Sequence, residues 1–168
     1  MPKIIENLRE KLVEEAQHQV RDCGYAALTV RSVAAACGVG VGTVYNYFAS
    51  KDALVAAFML QDWQACMAVV ARTSKEETTA EPVIRCVYSQ LQRFIFLHQA
   101  IFADEAAVAS FSGSPSPYHS LLRNQLAQPI RKFCRDDFTA EFIAEALLTW
   151  TVAGRGFEEI YTLIEKLL

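Results

Sequence analysis

The sequence lacks the cysteine and histidine spacings that mark a disulfide framework or a metal site. Its five cysteines form no CxxC pair, and its three histidines fit no HExxH motif. We therefore expect the cysteines to be reduced and mostly buried as small apolar side chains. The same absences predict that the protein binds no metal ion and no cofactor.

A long apolar run is also missing. The longest one, ALVAAFML, covers residues 53–60, whereas a membrane span needs roughly 18 apolar residues. The first residues, MPKIIENLREKLVEE, are charged where a signal peptide would be apolar. These features predict a cytoplasmic protein without a membrane-spanning segment.

Strand periodicity is scarce, and nearly every segment repeats its apolar residues at helical spacing. Helices are predicted from residue 4 to 22, from the N-cap Thr29 to Ala36, and from Ser50 to about Arg72. Further helices are predicted after Pro82 and at about 100–111. The next helix is predicted to bend near Pro129, and a last pair of helices to follow Asp136. The polar segment SGSPSP at 112–117 is predicted to be a loop. The fold class is therefore all-α.

Three glycines alternate in the stretch CGVGVG at residues 37–42. A dinucleotide-binding loop needs GxGxxG after a strand, but this pattern is GxGxG and follows the helical segment VRSVAAAC. A P-loop is excluded because no GK[ST] follows. A phosphate-binding loop is thus disfavoured.

A β-ribbon is the second interpretation, because β-prone residues alternate from Val39 to Tyr47. No partner strand is available to satisfy its backbone groups. A helix entered at Gly40 instead places Val44 and Phe48 on one face, and Gly38 suits the positive φ of a tight turn. This arrangement is a helix-turn-helix whose second helix could enter a major groove.

The segment GYAALTVRSVAAACGVGVGTVYNYFASKDAL at 24–54 carries a family resemblance. Residues 4–58 resemble the DNA-binding domain of the TetR family of transcriptional regulators. The resemblance implies a three-helix DNA-binding domain at 1–49 and a helical ligand-binding and dimerisation domain at 50–168. It also implies a repressor that leaves its operator when a small-molecule ligand binds.

The resemblance further implies a set of DNA contacts. Arg31 and Asn46 have donors suited to base edges, and Lys51 and the hydroxyls suit phosphate oxygens. Gly40 departs from the family, which usually has a capping residue at this position. Val41 replaces a side chain that is often polar in the family, so it can offer DNA only an apolar contact with a thymine methyl. The complete set of expected DNA-binding residues is Thr29, Val30, Arg31, Val41, Gly42, Thr43, Tyr45, Asn46, Tyr47 and Lys51.

The second half predicts assembly and ligand binding in less detail. Small and apolar residues alternate through about 138–168, which favours a homodimer and hence a palindromic double-stranded DNA operator. Its aromatic residues are typical either of ordinary core or of a pocket for an apolar or aromatic effector. The candidate ligand-binding residues are Trp63, Tyr88, Phe94, His98, Phe102 and Tyr118.

The balanced charge of the first 52 residues leaves an alternative function open. Up to Asp52 the sequence has six basic and six acidic residues, Lys3, Arg9, Lys11, Arg21, Arg31 and Lys51 against Glu6, Glu10, Glu14, Glu15, Asp22 and Asp52. A neutral domain is unusual for a nucleic-acid binder, and a helical interaction module that has lost DNA binding is the alternative function. An enzyme is disfavoured, because no nucleophile, base and orienting group occur together.

Overall fold

A computed structural model describes residues 7–111 and 117–168, and every regular element in these ranges is helical. The all-α prediction is therefore confirmed. The helices are α1 Leu8–Cys23, α2 Val30–Ala36, α3 Val41–Tyr45, α4 Lys51–Glu76, α5 Ala80–Leu97, α6 Gln99–Phe102, α7 Glu105–Phe111, α8 Pro117–Ala127, a 3-10 turn Arg131–Phe133, α9 Asp137–Val152 and α10 Phe157–Ile164.

The chain divides into two compact units that alternate along the sequence. The first unit runs to Asp62 and resumes at His98, so it contains α1–α3, the first half of α4, α6 and α7. The second unit contains the rest of α4 from Trp63, α5, and everything from α8 onward. The domain boundary expected after residue 49 stays a prediction.

Short polar side chains begin several helices. The Ala53 amide donates to Ser50 Oγ at 3.1 Å, as predicted for the start of α4. The Thr139 amide donates to Asp136 Oδ1 at 2.7 Å, and this bond lowers the pKa of the Asp136 carboxyl. Asp104 Oδ1 accepts the amides of Ala106 and Ala107, both at 3.0 Å. This third cap divides the single stretch predicted at 100–111 into α6 and α7.

The first unit has its own core. Residues of α1 that recur at helical spacing are buried, as the sequence predicted. They pack in one cluster with α2, α3, α4 and the α6–α7 segment. The cluster includes Leu12, Ala16, Val20, Leu28, Val33, Val44, Phe48, Leu54, Phe58, Ile101 and Ala107.

The second core joins α5, α9 and α10 with the end of α4, the end of α8 and Ile130. On α9 the buried face carries Ile143 and Leu147. A second helical stripe on α9, formed by Phe142, Ala146 and Trp150, lies away from this face, and Phe142 and Trp150 are exposed. Because α9 has apolar residues all round, its sequence could not tell which face packs inside the unit.

Helix α4 is the one helix of the described chain that is long and apolar enough, by length and composition, to cross a membrane. It supplies the buried residues Leu54, Val55 and Phe58 to the first core and Val70 to the second. Core helices of globular proteins pass the same composition test, and residues of α4 belong to both cores.

The five cysteines are free, but the expectation that most are buried is wrong. Cys66 is buried, Cys23 is exposed, and the other three are half-buried. The predicted loop at 112–117 lies outside the described residues except for Pro117, which is the first residue of α8.

Candidate nucleic-acid interface

Helix α2 begins with a reciprocal cap. Thr29 Oγ1 accepts the Ser32 amide at 2.9 Å, and Ser32 Oγ accepts the Thr29 amide at 3.2 Å. Ser32 Oγ also lies 2.6 Å from Gln19 Oε1, which ties this end of α2 to α1. Thr29 itself is exposed, and its hydroxyl hydrogen is still available to an acceptor.

The next two residues of α2 point in different directions. Arg31 is exposed, as a residue that reads bases must be. Val30 is buried in the first core. Its side chain is therefore unsuited to contacting DNA, and any contact by Val30 would use its backbone.

The turn between α2 and α3 has the predicted geometry. Gly38 has φ of 68°, which only glycine adopts without strain, and Gly40 is extended at the N-cap of α3. The Val39 amide donates to the Ala34 carbonyl at 2.9 Å and closes the turn. The prediction of a helix-turn-helix corner is confirmed.

Helix α3 is anchored on one side and exposed on the other. Val44 is fully buried and Phe48 nearly so, in the register that the sequence predicted. Tyr45 and Tyr47 are 53% and 48% exposed, and Asn46 is exposed between them. The helix ends at Tyr45, so Asn46 and Tyr47 lie in the turn that follows.

The remaining expected contacts of this helix differ in exposure. Gly42 is exposed, and Thr43 is half-buried. Val41 is also half-buried and packs against the first core, so only part of its side chain is available to a thymine methyl.

Lys51, the first residue of α4, lies against the turn between α1 and α2. Its Nζ donates to the Tyr25 carbonyl at 3.1 Å and lies 3.8 Å from the centroid of the Tyr25 ring. The Tyr25 hydroxyl donates in turn to the Asp52 carboxylate. Tyr25 thus contacts the ammonium group directly, and Asp52 contacts Tyr25.

Arg9 is a basic residue that the sequence did not single out. Its guanidinium lies 5.2 Å from the centroid of the Phe48 ring, which follows the turn after α3. No spacing rule connects Arg9 to α3, because the contact depends on how α1 packs against it. Arg9 is a further candidate for contact with phosphate.

The thiol of Cys37, at the end of α2, is not activated. Burial raises the pKa of Cys37, and the Glu15 carboxylate raises it further while Lys11 opposes them. A thiol with a raised pKa carries little thiolate at neutral pH, so Cys37 lacks the chemistry of a nucleophile. Across residues 7–111 and 117–168, no group of His, Cys, Asp and Glu side chains could hold a metal ion.

The candidate ligand residues fall in both units. In the second unit the rings of Trp63 and Phe94 meet edge-on at 5.4 Å, and Tyr88 packs on Phe157 at 5.5 Å. The Trp63 indole donates to Gln125, and the Tyr88 hydroxyl donates to the Arg155 carbonyl at 2.9 Å. These contacts are those of core aromatics with satisfied polar ends.

His98 and Phe102 belong to the first unit. His98 is 2% exposed, and Phe102 is exposed. The side chain of Tyr118 lies outside the described residues. The ligand-binding set therefore stays a prediction, and its buried members already have partners within their own unit.

An apolar surface covers one side of α9 and α10. Phe142, Trp150 and Leu163 are exposed on it. They border a shallow groove of about 390 Å³ that is also lined by Ile160, Ile164, Arg155 and Glu159. Monomeric soluble proteins rarely leave such a surface uncovered.

Comparison with known proteins places residues 12–58 in the family described as "Bacterial regulatory proteins, tetR family". Over 60 residues, or 36% of the chain, the sequence is 28% identical to the HTH-type transcriptional regulator UidR of Escherichia coli K12. That match spans 31% of UidR. Over 120 residues, or 71% of the chain, it is 27% identical to the HTH-type transcriptional repressor DhaR of Mycobacterium sp. GP1, of which 58% is covered.

The fold is also found among solved structures. The multidrug binding protein EbrR, determined with imidazole, superposes with a TM-score of 0.69 over 95% of this chain and 94% of its own. The two sequences are 19% identical, so this likeness concerns the fold.

Proposed function

Since the chain belongs to the TetR family of bacterial regulatory proteins, we propose that it is a sequence-specific DNA-binding transcriptional regulator. The observation that carries the proposal is the arrangement of α3. Buried Val44 and Phe48 fix this segment to the first core. Tyr45 at the end of α3, and Asn46 and Tyr47 in the turn that follows it, are exposed. A short helix held in this way can enter a major groove.

The proposed DNA contacts divide by chemistry. Lys51 and the hydroxyls of Thr29, Thr43, Tyr45 and Tyr47 are donors to phosphate oxygens and would set the position of the protein on the duplex. Arg31 and Asn46 have the paired donors and acceptors that read guanine and adenine edges. Gly42, which has no side chain, would let the DNA backbone approach α3 closely.

We also propose that the protein is a homodimer through the α9–α10 surface. A two-fold axis would present two α3 helices and hence require a palindromic operator. The exposed Phe142, Trp150 and Leu163 support this proposal, because a second copy would remove them from water. The dimer would work in the cytoplasm, where its DNA lies.

The proposed regulation is release from the operator when a small apolar or aromatic effector binds between helices of the 50–168 domain. The aromatic content of this region supports the proposal. The candidate contacts remain Trp63, Tyr88, Phe94, His98, Phe102 and Tyr118. A thermal-shift screen tests them: a compound that stabilises the wild type but not a folded Phe102→Ala variant supports the site, and equal stabilisation of both removes Phe102 from it.

The alternative function is a helical interaction module that has lost DNA binding. The balanced charge of the first 52 residues and the apolar Val41 favour this alternative. Selection of bound duplexes from random DNA decides between the two functions. Enrichment of a palindrome supports the regulator, whereas no enrichment by a folded dimer supports the interaction module.

A further inference from the structure

We infer that Tyr25 is a positioning residue that holds the Lys51 ammonium ready for a DNA phosphate. The inference rests on the proposed function, because it concerns how the regulator contacts DNA. Tyr25 lies in the turn between α1 and α2 and is 4% exposed, so it does not contact DNA through its own ring. It would act through the lysine that lies on it.

The geometry fixes Lys51 from two sides. The Tyr25 carbonyl accepts a hydrogen bond from Nζ at 3.1 Å, and the face of the Tyr25 ring lies 3.8 Å from the same atom. That distance lies well within the range over which a cation is attracted to an aromatic face. The hydroxyl of Tyr25 also donates to Asp52, which ties Tyr25 to the first turn of α4.

This arrangement leaves the charge of Lys51 available. A lysine ammonium has three donors, and the Tyr25 carbonyl uses one of them. Within the described chain, no carboxylate oxygen lies within ion-pair distance of Lys51 Nζ. A ring and a carbonyl orient the cation without neutralising it, so a phosphate oxygen can still pair with it.

The expected gain in DNA affinity comes from preorganisation of the Lys51 side chain. A free lysine side chain has many rotamers, and ordering it on a phosphate costs conformational entropy. Lys51 already has a carbonyl and a ring face as partners before DNA arrives. Losing the ring should therefore weaken the phosphate contact even though Lys51 is still present.

Two substitutions separate the ring from the hydroxyl. Tyr25→Phe keeps the aromatic face and removes the bond to Asp52, whereas Tyr25→Leu removes the face and keeps an apolar core residue. Both are compared with Lys51→Ala and with the double variant Tyr25→Leu/Lys51→Ala. Binding to the selected operator and to an unrelated duplex is measured across a salt series, with circular dichroism to establish the folded fraction.

We expect Tyr25→Phe to keep the wild-type salt dependence. Tyr25→Leu should weaken binding to both duplexes by about two- to fivefold per protomer, the factor that matches an exposed cation–π contact. It should also shift the slope of log K against log salt towards that of Lys51→Ala, which is about one unit smaller per phosphate contact. In the double variant the loss should equal that of Lys51→Ala alone.

A different pattern overturns the inference. If folded Tyr25→Leu keeps the wild-type salt slope, and its loss of affinity multiplies with that of Lys51→Ala, Tyr25 is only a core residue. Should Tyr25→Leu be unfolded, the test is the NMR shift of the Lys51 ε-methylene protons in the wild type. An upfield ring-current shift that Tyr25→Phe retains supports the contact, and ordinary lysine shifts refute it.

The experiment distinguishes failure of the proposed function from failure of the positioning role of Tyr25. A folded wild type that selects no DNA sequence overturns the regulator and this inference together. A wild type that binds DNA with a Lys51-dependent salt slope, unaffected by Tyr25→Leu, overturns the positioning role alone.

Discussion

The carboxylate of Asp62 lies 3.3 Å from the Nε2 atom of His98. The same Asp62 oxygen accepts a hydrogen bond from Gln17 Nε2 at 2.9 Å. Asp62 thus connects α1 with the residue that begins α6, all within the first unit. The imidazole of His98 also stacks on Phe58 with 5.8 Å between ring centroids.

This environment predicts a pH-dependent stability. Burial lowers the pKa of His98 below its ordinary value of 6.5, and the Asp62 carboxylate opposes that shift only in part. The unfolded chain therefore takes up a proton at a higher pH than the folded chain does. The contribution of His98 to stability is complete above pH 6.5 and is lost as the pH falls below it, at a rate of up to about 1.4 kcal/mol per pH unit.

Urea unfolding of the wild type and of His98→Gln at pH 7.5 and pH 5.5 measures this effect. Glutamine places an amide donor near the position of Nε2 but does not titrate. The wild type should lose more free energy of unfolding between the two pH values than the variant does. Parallel losses would show that His98 does not titrate differently in the two states.

Thr29 should contribute to stability through its cap as well as to DNA binding. Thr29→Ala removes the acceptor of the Ser32 amide and should lower the free energy of unfolding by about 1 kcal/mol. Thr29→Ser keeps the hydroxyl and should be close to the wild type in both unfolding and DNA affinity. If Thr29→Ala is as stable as Thr29→Ser in denaturant titrations, the cap contributes nothing measurable.

The α9–α10 surface should determine assembly. Phe142→Glu places a charge on the exposed apolar face without disturbing the buried side of α9, so it should yield a folded monomer in sedimentation velocity at micromolar concentration. Phe96→Glu is the matched control, because Phe96 is 69% exposed and lies on α5 outside this face. A dimer that survives Phe142→Glu would locate the interface elsewhere.

Asn46 and Lys51 should differ in how their loss affects DNA binding. Asn46→Ala should relax preference at one base pair per half-site, cost roughly 1 to 3 kcal/mol on the best operator, and change the salt slope little. Lys51→Ala should weaken binding to all sequences similarly and lower the slope by about one unit.

Binding of both variants to the selected operator and to its single-base mutants, over a salt series, provides the comparison. Each effect should appear in both halves of a palindromic site. An equal loss on every sequence for Asn46→Ala would make Asn46 a backbone contact and leave Arg31 as the principal reader of bases.

The sequence by itself determined the local architecture of the helix-turn-helix. Thr29 caps α2, Gly38 takes the positive φ of the turn, and Val44 with Phe48 forms the buried side of α3. Each of these features depends on residues within about four positions of one another, where helical periodicity and capping chemistry act. The start of α9 after Asp136 was predictable for the same reason.

Only the tertiary structure determined which side chains that are distant in the sequence contact each other. Lys51 and Tyr25 are 26 residues apart, and Asp62 and Gln17 are 45 apart, so no helical period relates them. The outward direction of Phe142 was likewise undetermined, because periodicity defines faces relative to a helix axis and not relative to a core. Packing between helices chose the buried face of α9, and with it the apolar surface that remains for a partner.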